Sequence, residues 1–167
     1  MEFASSSSSS FLKSEPQFEY DVFINFWGED IARKFVSHLH SVLLQAQVKT
    51  LIKEENGMEL EEHMRAIACS KIAIIVFSKS YIESTCCLYE LEKIIECHET
   101  FGQIVLPVYY EIDRLDVFEQ KGDFGKALEK AAQKSYSGKL LERALSRWSR
   151  ALTRAAGIRG WDVRDFR

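Results

Sequence analysis

The chain of 167 residues contains only four cysteines and eight glycines, and neither set falls into a pattern that carries chemistry. Cys69, Cys86, Cys87 and Cys97 show no disulfide-framework spacing, and the adjacent pair is badly placed to bond to itself. All four read as reduced thiols of a cytosolic protein. No glycine-rich loop follows an apolar stretch, which excludes a Rossmann dinucleotide site and a phosphate-binding P-loop. No apolar run approaches the ~18 residues that cross a bilayer. Met1 to Leu12 has neither a basic start nor an apolar centre, so it does not read as a secretory signal. An acidic cluster of the receiver-domain kind is also missing, since only Asp21 and Asp113 hint at one. His38 and His40 lie two apart, about 200° round a helix, and cannot chelate one metal. Cys97-His98 lacks partners at ligand spacing, so no metal is expected. Cys87 has no sequence-evident histidine partner, which argues against a nucleophilic thiol.

What is present is one domain's length of ordinary globular composition, enough to bury roughly two-thirds of the unfolded surface. The net charge of -3 hides an asymmetry. Lys126 to Arg167 holds eleven basic against four acidic residues, whereas the first 125 residues hold eleven against twenty-one. Such a bipolar chain can pack basic face against acidic face in a head-to-tail manner. Nucleic acid ranks below protein as a partner, because aromatic residues do not interleave with the basic ones.

Residues 1–17, with a serine tract from Ser5 to Ser10, are too poor in apolar groups to order themselves and read as a flexible tail. Tyr20 to Phe26 is nearly continuously apolar and β-branched or aromatic, as a central parallel strand covered on both faces requires. Gly28 then permits a sharp turn and Asp30 can cap the next helix. That helix, about Ile31 to Gln45, carries Phe35, Leu39, Val42, Leu43 and Ala46 at helical spacing. Val48 to Ile52 reads as a second strand, and Lys53 to Gly57 as a turn-rich loop. A helix with Leu60, Met64 and Ile67 as its buried line runs to about Cys69. Lys71 to Ser78 is a third strand and Gln103 to Tyr110 a fourth, where Pro107 implies a bulge or an unpaired position. Phe124 to Ala132 and Lys139 to Ala156 read as helices, the latter ended by Gly157 and Gly160. Trp161 to Val163 can add a short edge strand. Strands alternating with helices predict an open parallel α/β sheet, whose ligands bind beyond the carboxyl ends of the strands.

Between the third and fourth strands, Leu88, Leu91 and Ile95 share one helix face. Glu90 lies about 100° from Leu91, at the edge of that face. It is either a boundary glutamate of an amphipathic helix or a partly desolvated carboxylate pointing into a cleft.

Several segments, in order, resemble plant Toll/interleukin-1 receptor (TIR) domains: Tyr20-Asp21-Val22-Phe23, Gly28-Glu29-Asp30, Phe35 with Ser37-His38-Leu39, and Ala66-Ile67 with Ser70-Lys71-Ile72. The likeness continues through Val76-Phe77-Ser78, Cys87-Leu88 with Glu90-Leu91, Ile104 to Pro107, Phe124-Gly125 and Gly160-Trp161-Asp162. It spans residues 18–163, leaving 164–167 as a C-terminal end or the start of a linker. The resemblance implies a flavodoxin-like open parallel five-stranded sheet with helices on both faces. It further implies a cytoplasmic or nuclear module of plant defence, heading an NB-LRR receptor, that self-associates and cleaves NAD⁺ at the nicotinamide-ribose bond. By resemblance Glu90 is the catalytic carboxylate. Trp27, Gly28, Asp30, Gly57 and Cys86 surround NAD⁺, which is a substrate, so no cofactor is implied. Ser37 and His38 match a pair used for TIR-TIR packing, giving a homo-oligomer or contact with other TIR domains. Trp27 stands where the family usually has Arg, and Cys86 where it usually has Trp. Those departures favour the alternative, an adaptor or decoy of the same fold with weak or no turnover.

Overall fold

In the computed structural model, which describes residues 18–52 and 59–166, five strands form one sheet in the order β2-β1-β3-β4-β5 with every pairing parallel. They are β1 (Tyr20–Asn25), β2 (Thr50–Ile52), β3 (Ser70–Phe77), β4 (Ile104–Tyr109) and β5 (Trp161–Asp162). This is the expected flavodoxin-like α/β sheet. The residues of β1 and β3 alternate between two cores, which is why both strands read as continuously apolar. Val22, Ile24, Ile74 and Val76 face one way, while Phe23, Ala73, Ile75 and Phe77 face the other.

One face is covered by a single continuous helix, α1, made of Glu29–Ile31, a π-helical turn at Ala32–Val36, and Ser37–Gln45. The π turn corrects the expected buried line. Residues five apart sit about 140° from each other on an α-helix, but i→i+5 bonding brings them over one another. Ile31 and Val36 are therefore both buried, whereas Val42 is 61% exposed and Ala46 is also exposed. Phe35, Leu39 and Leu43 pack against that core as expected. Asp30 lies inside the first turn rather than capping it, exposed and paired with Lys34 at 3.3 Å. Beside α1 an apolar groove stays open, lined by Phe35, Leu39, Leu106, Val108, Trp161 and Phe166.

The opposite face carries α2 (Leu60–Ala68), α3 (Thr85–Phe101), α4 (Arg114–Glu119), α5 (Gly122–Ser135) and α6 (Gly138–Gly157). Their core includes Leu88, Leu91, Ile94 and Ile95 of α3 and Trp148 and Leu152 of α6, each essentially inaccessible. Burying each such side chain stabilises the fold by about 1.5–3 kcal/mol relative to exposure. The short helix α4 was not anticipated from the sequence. The β3–β4 register runs through Pro107 without a bulge, and β5 pairing begins only at the next residue, Val108. Val163–Phe166 form a 3₁₀ turn in which Arg164 binds Asp113 and Asp162, both at 2.7 Å.

The basic last helix finds acidic partners within the chain. Arg147 reaches Glu92 at 3.3 Å, and Arg150 and Arg154 reach Glu99 at 3.0 and 3.7 Å. Part of the charge asymmetry is thus spent inside the domain rather than offered to a partner.

A candidate active site at the carboxyl edge of the sheet

The loops that follow β1 and β3 meet at the carboxyl edge and are tied to each other. Gly28 leaves β1 with φ +111, a conformation that L side chains rarely adopt. A Cβ there would stand 2.7 Å from Ser80 Oγ. Ser80 Oγ donates to the Trp27 carbonyl at 3.1 Å, and the Cys87 thiol donates to the Phe26 carbonyl at 3.1 Å. Helix α3 starts beneath this knot with Ser84 as its N-cap, accepting from the Cys87 amide at 3.2 Å. The cap supplies one of the bonds that a first helical turn cannot make for itself.

Between these loops, α1 and α2 lies a cleft of about 730 Å³, a size suited to a small-molecule ligand. Trp27, Gly28 and Cys86 form part of its wall, together with Glu29, His40 and Glu83. Trp27 is 36% exposed at this edge. Three expected site residues therefore converge. Asp30 does not line the cleft, because its carboxylate turns outward to Lys34. Gly57, like Lys53 and Glu54 of the same loop, lies outside the described residues. Ser37 borders the cleft and bonds back to the Arg33 carbonyl at 2.8 Å, while His38 is exposed on the outside of α1.

Glu90 departs from the expectation of a partly desolvated edge residue: its exposure is 0%. One carboxylate oxygen accepts from Asn25 Nδ2 at 3.0 Å. Asn25, at the last position of β1, in turn accepts a short hydrogen bond from the Tyr81 hydroxyl. Burial, with Cys87 and Glu90 close by, pushes the Tyr81 phenol well above its ordinary range. It therefore stays protonated and remains a donor to Asn25. The second carboxylate oxygen faces His63 Nδ1 at 3.2 Å.

His63 is 4% exposed and lines the cleft, whereas Glu90 does not. The imidazole thus stands between the carboxylate and the ligand space. Sequence reasoning missed both Asn25 and His63. The buried line of α2 is His63, Ala66 and Ile67, while Leu60 is 37% exposed. The signal was present in the sequence: His63 keeps i, i+3, i+4 spacing with Ala66 and Ile67, and Asn25 is a polar residue ending an apolar strand at the ligand-binding edge.

Comparison with known proteins agrees with this architecture. The TIR domain family model matches residues 19–167. The chain is 41% identical to the TMV resistance protein N of Nicotiana glutinosa and 40% identical to the disease resistance-like protein DSC2 of Arabidopsis thaliana. In each case the match covers 97% of this chain but 14% of the relative's length. Among solved structures, the TIR domains of the activated Roq1 resistosome, which directly recognises the pathogen effector XopQ, align with a TM-score of 0.77 at 38% identity. That alignment covers 88% of this chain and 89% of theirs. The parallel sheet, the ordered segments and these relatives place the chain in the TIR domain family, alongside the TIR domains of plant disease-resistance proteins.

Proposed function

We propose that this TIR domain acts in plant innate-immune signalling by self-association coupled to cleavage of NAD⁺ at the nicotinamide-ribose bond, with Glu90 as the essential carboxylate. The observation that carries the reading is a fully buried glutamate, held by Asn25, directly behind the wall of a cleft at the carboxyl edge of a parallel sheet.

The chemistry needs little more than that. Nicotinamide leaves as a neutral molecule from a cationic ring, so no acid has to protonate it, unlike the leaving group of an ordinary glycoside. The ribose is left as an oxocarbenium ion, and a fixed negative charge in a poorly solvated site stabilises that developing cation more than it stabilises the substrate. Held by Asn25, Glu90 needs no reorganisation as the charge forms. Trp27 supplies an aromatic face for adenine or nicotinamide, in place of the tryptophan that the family usually carries where Cys86 stands. NAD⁺ is a substrate here, and no cofactor is invoked.

Self-association is assigned to the Ser37–His38 face of α1. His38 is exposed and free of the cleft, and the Roq1 relative is described as a resistosome. Among the described residues no helix is long and apolar enough to cross a membrane. The setting proposed is cytoplasmic or nuclear, within a larger NB-LRR receptor or beside other TIR domains.

A second reading, a non-catalytic adaptor or decoy acting only through TIR-TIR contact, is favoured by two features. His63 covers Glu90, and a thiol rather than an aromatic ring occupies position 86. NAD⁺ consumption at high protein concentration separates the two. Catalysis predicts turnover by the wild type that Glu90→Ala abolishes; equal and negligible rates leave the adaptor reading.

A further inference from the structure

Among the described residues, His63 both lies against the Glu90 carboxylate and lines the cleft. Its Nδ1 is 3.2 Å from the Glu90 carboxylate, at ion-pair distance but without an aligned hydrogen bond. Its Nε2 is buried and has no hydrogen-bond partner among the described residues. A buried ring nitrogen left without a partner costs stability unless a ligand or water uses it. The two nitrogens of an imidazole point to opposite sides of the ring. With Nδ1 against Glu90, Nε2 is the nitrogen left for a ligand or water. A carboxylate that accepts from Nδ1–H also fixes which nitrogen carries the proton in the neutral ring.

We propose that His63 and Glu90 form a carboxylate-histidine dyad in which Nε2 of His63 is the base that deprotonates the attacking water. The assignment rests on the NAD⁺-cleavage reading and deepens it. In the step proposed, the C–N bond between ribose and nicotinamide breaks, and its electron pair leaves with nicotinamide, neutralising the pyridinium. Water then forms the new C–O bond at the ribosyl cation and gives one proton to Nε2. The imidazolium is stabilised by Glu90 across the Nδ1 contact and later releases that proton to solvent. The sum is NAD⁺ plus water giving ADP-ribose, nicotinamide and a proton. Glu90 thereby reaches the reaction without leaving its buried position, which accounts for a carboxylate that the cleft itself does not expose.

Two measurements test this. Nitrogen-15 NMR of the wild-type imidazole needs no variant: the dyad predicts the Nδ1–H tautomer for the neutral ring, and a change of tautomer or shift in Glu90→Gln. Finding Nε2–H in the wild type overturns the proposal. In the NAD⁺ assay, His63→Leu is expected to lose about 100-fold in rate, within the range typical of a general base. His63→Ala should recover part of its rate on addition of imidazole, which a merely structural role would not produce. If Glu90→Ala is inactive but His63→Leu matches or exceeds the wild type, His63 is only a wall or lid and the dyad fails alone. If wild type and Glu90→Ala are equally inert, NAD⁺ cleavage fails and the catalytic assignment of His63 falls with it.

Discussion

Removing Asn25 should cost the domain far more than an ordinary surface substitution. Asn25 and Glu90 are both wholly inaccessible, and the bond between them, 3.0 Å long, joins an amide donor to a carboxylate. Hydrogen bonds to charged groups contribute about 1.5–3 kcal/mol, against about 0.5–1.5 kcal/mol for neutral pairs. Asn25→Ala breaks one of the first kind and also the bond from the Tyr81 hydroxyl, and water cannot readily replace either inside the core. The Tyr81 hydroxyl keeps a second, longer acceptor in the Cys87 carbonyl at 3.3 Å, which limits its share of the loss. The expected cost is about 3–4 kcal/mol. At 2–4 °C per kcal/mol for a domain of this size, the thermal midpoint falls by roughly 6–16 °C. Urea unfolding followed by circular dichroism, with the slope unchanged, measures this directly. A cycle with Glu90→Gln isolates the charge: in that background the penalty of Asn25→Ala should shrink by at least ~1 kcal/mol. A loss below ~1 kcal/mol, or strict additivity in the cycle, would refute the claim that Asn25 holds a buried charge.

Other expectations follow from the loops around the cleft and from the sheet. Ser84→Ala deletes the N-cap of α3 and should cost about 0.5–2 kcal/mol, readable as a lower urea midpoint, with faster hydrogen exchange at the first turn beside Cys86. Gly28→Ala forces a side chain into φ +111 and against Ser80 Oγ; a loss of about 1–3 kcal/mol is expected in the same unfolding assay. Trp27→Ala should weaken NAD⁺ binding by about 1–3 kcal/mol, the usual worth of an aromatic stacking partner, seen as a raised KM with kcat less affected. Asp21, held below its ordinary value of 3.8 chiefly by the Lys49 amide and then by Lys71, stabilises the fold at neutral pH. That contribution is present above the unfolded-state value and is lost as pH falls through the lower folded one. The stability gap between wild type and Asp21→Asn should therefore close below about pH 4.

Much of the architecture was legible because apolar strands and amphipathic helices announce themselves by period. Tyr20 to Asn25 reads as a doubly covered strand because both of its faces are in fact buried. Leu88, Leu91 and Ile95 keep the helix face they promised. Periodicity failed where the backbone changed its period or where a polar residue joined the core. The π turn at Ala32–Val36 shifts the phase of α1, so Val42 is left in solvent. Residues 114–119 form only six residues of helix, too few for a stripe to be read. Spacing puts His63 in phase with Ala66 and Ile67 and Asn25 at the end of β1, but only the three-dimensional packing brings both against Glu90. The resemblance led to Glu90 itself, yet its complete burial depends on long-range packing of α2 and β1 against α3, which spacing along the chain does not encode.

Nicotinamide release from NAD⁺ by concentrated wild type and by Glu90→Gln tests the role of the buried carboxylate most directly. The isosteric change keeps the volume of the side chain and the capacity to accept from Asn25, so a folded variant can be verified by its thermal midpoint. A loss of at least ~100-fold is predicted, the scale of removing a preorganised charge from a transition state. Release by Glu90→Gln at the wild-type rate would contradict the claim that this buried carboxylate drives the chemistry.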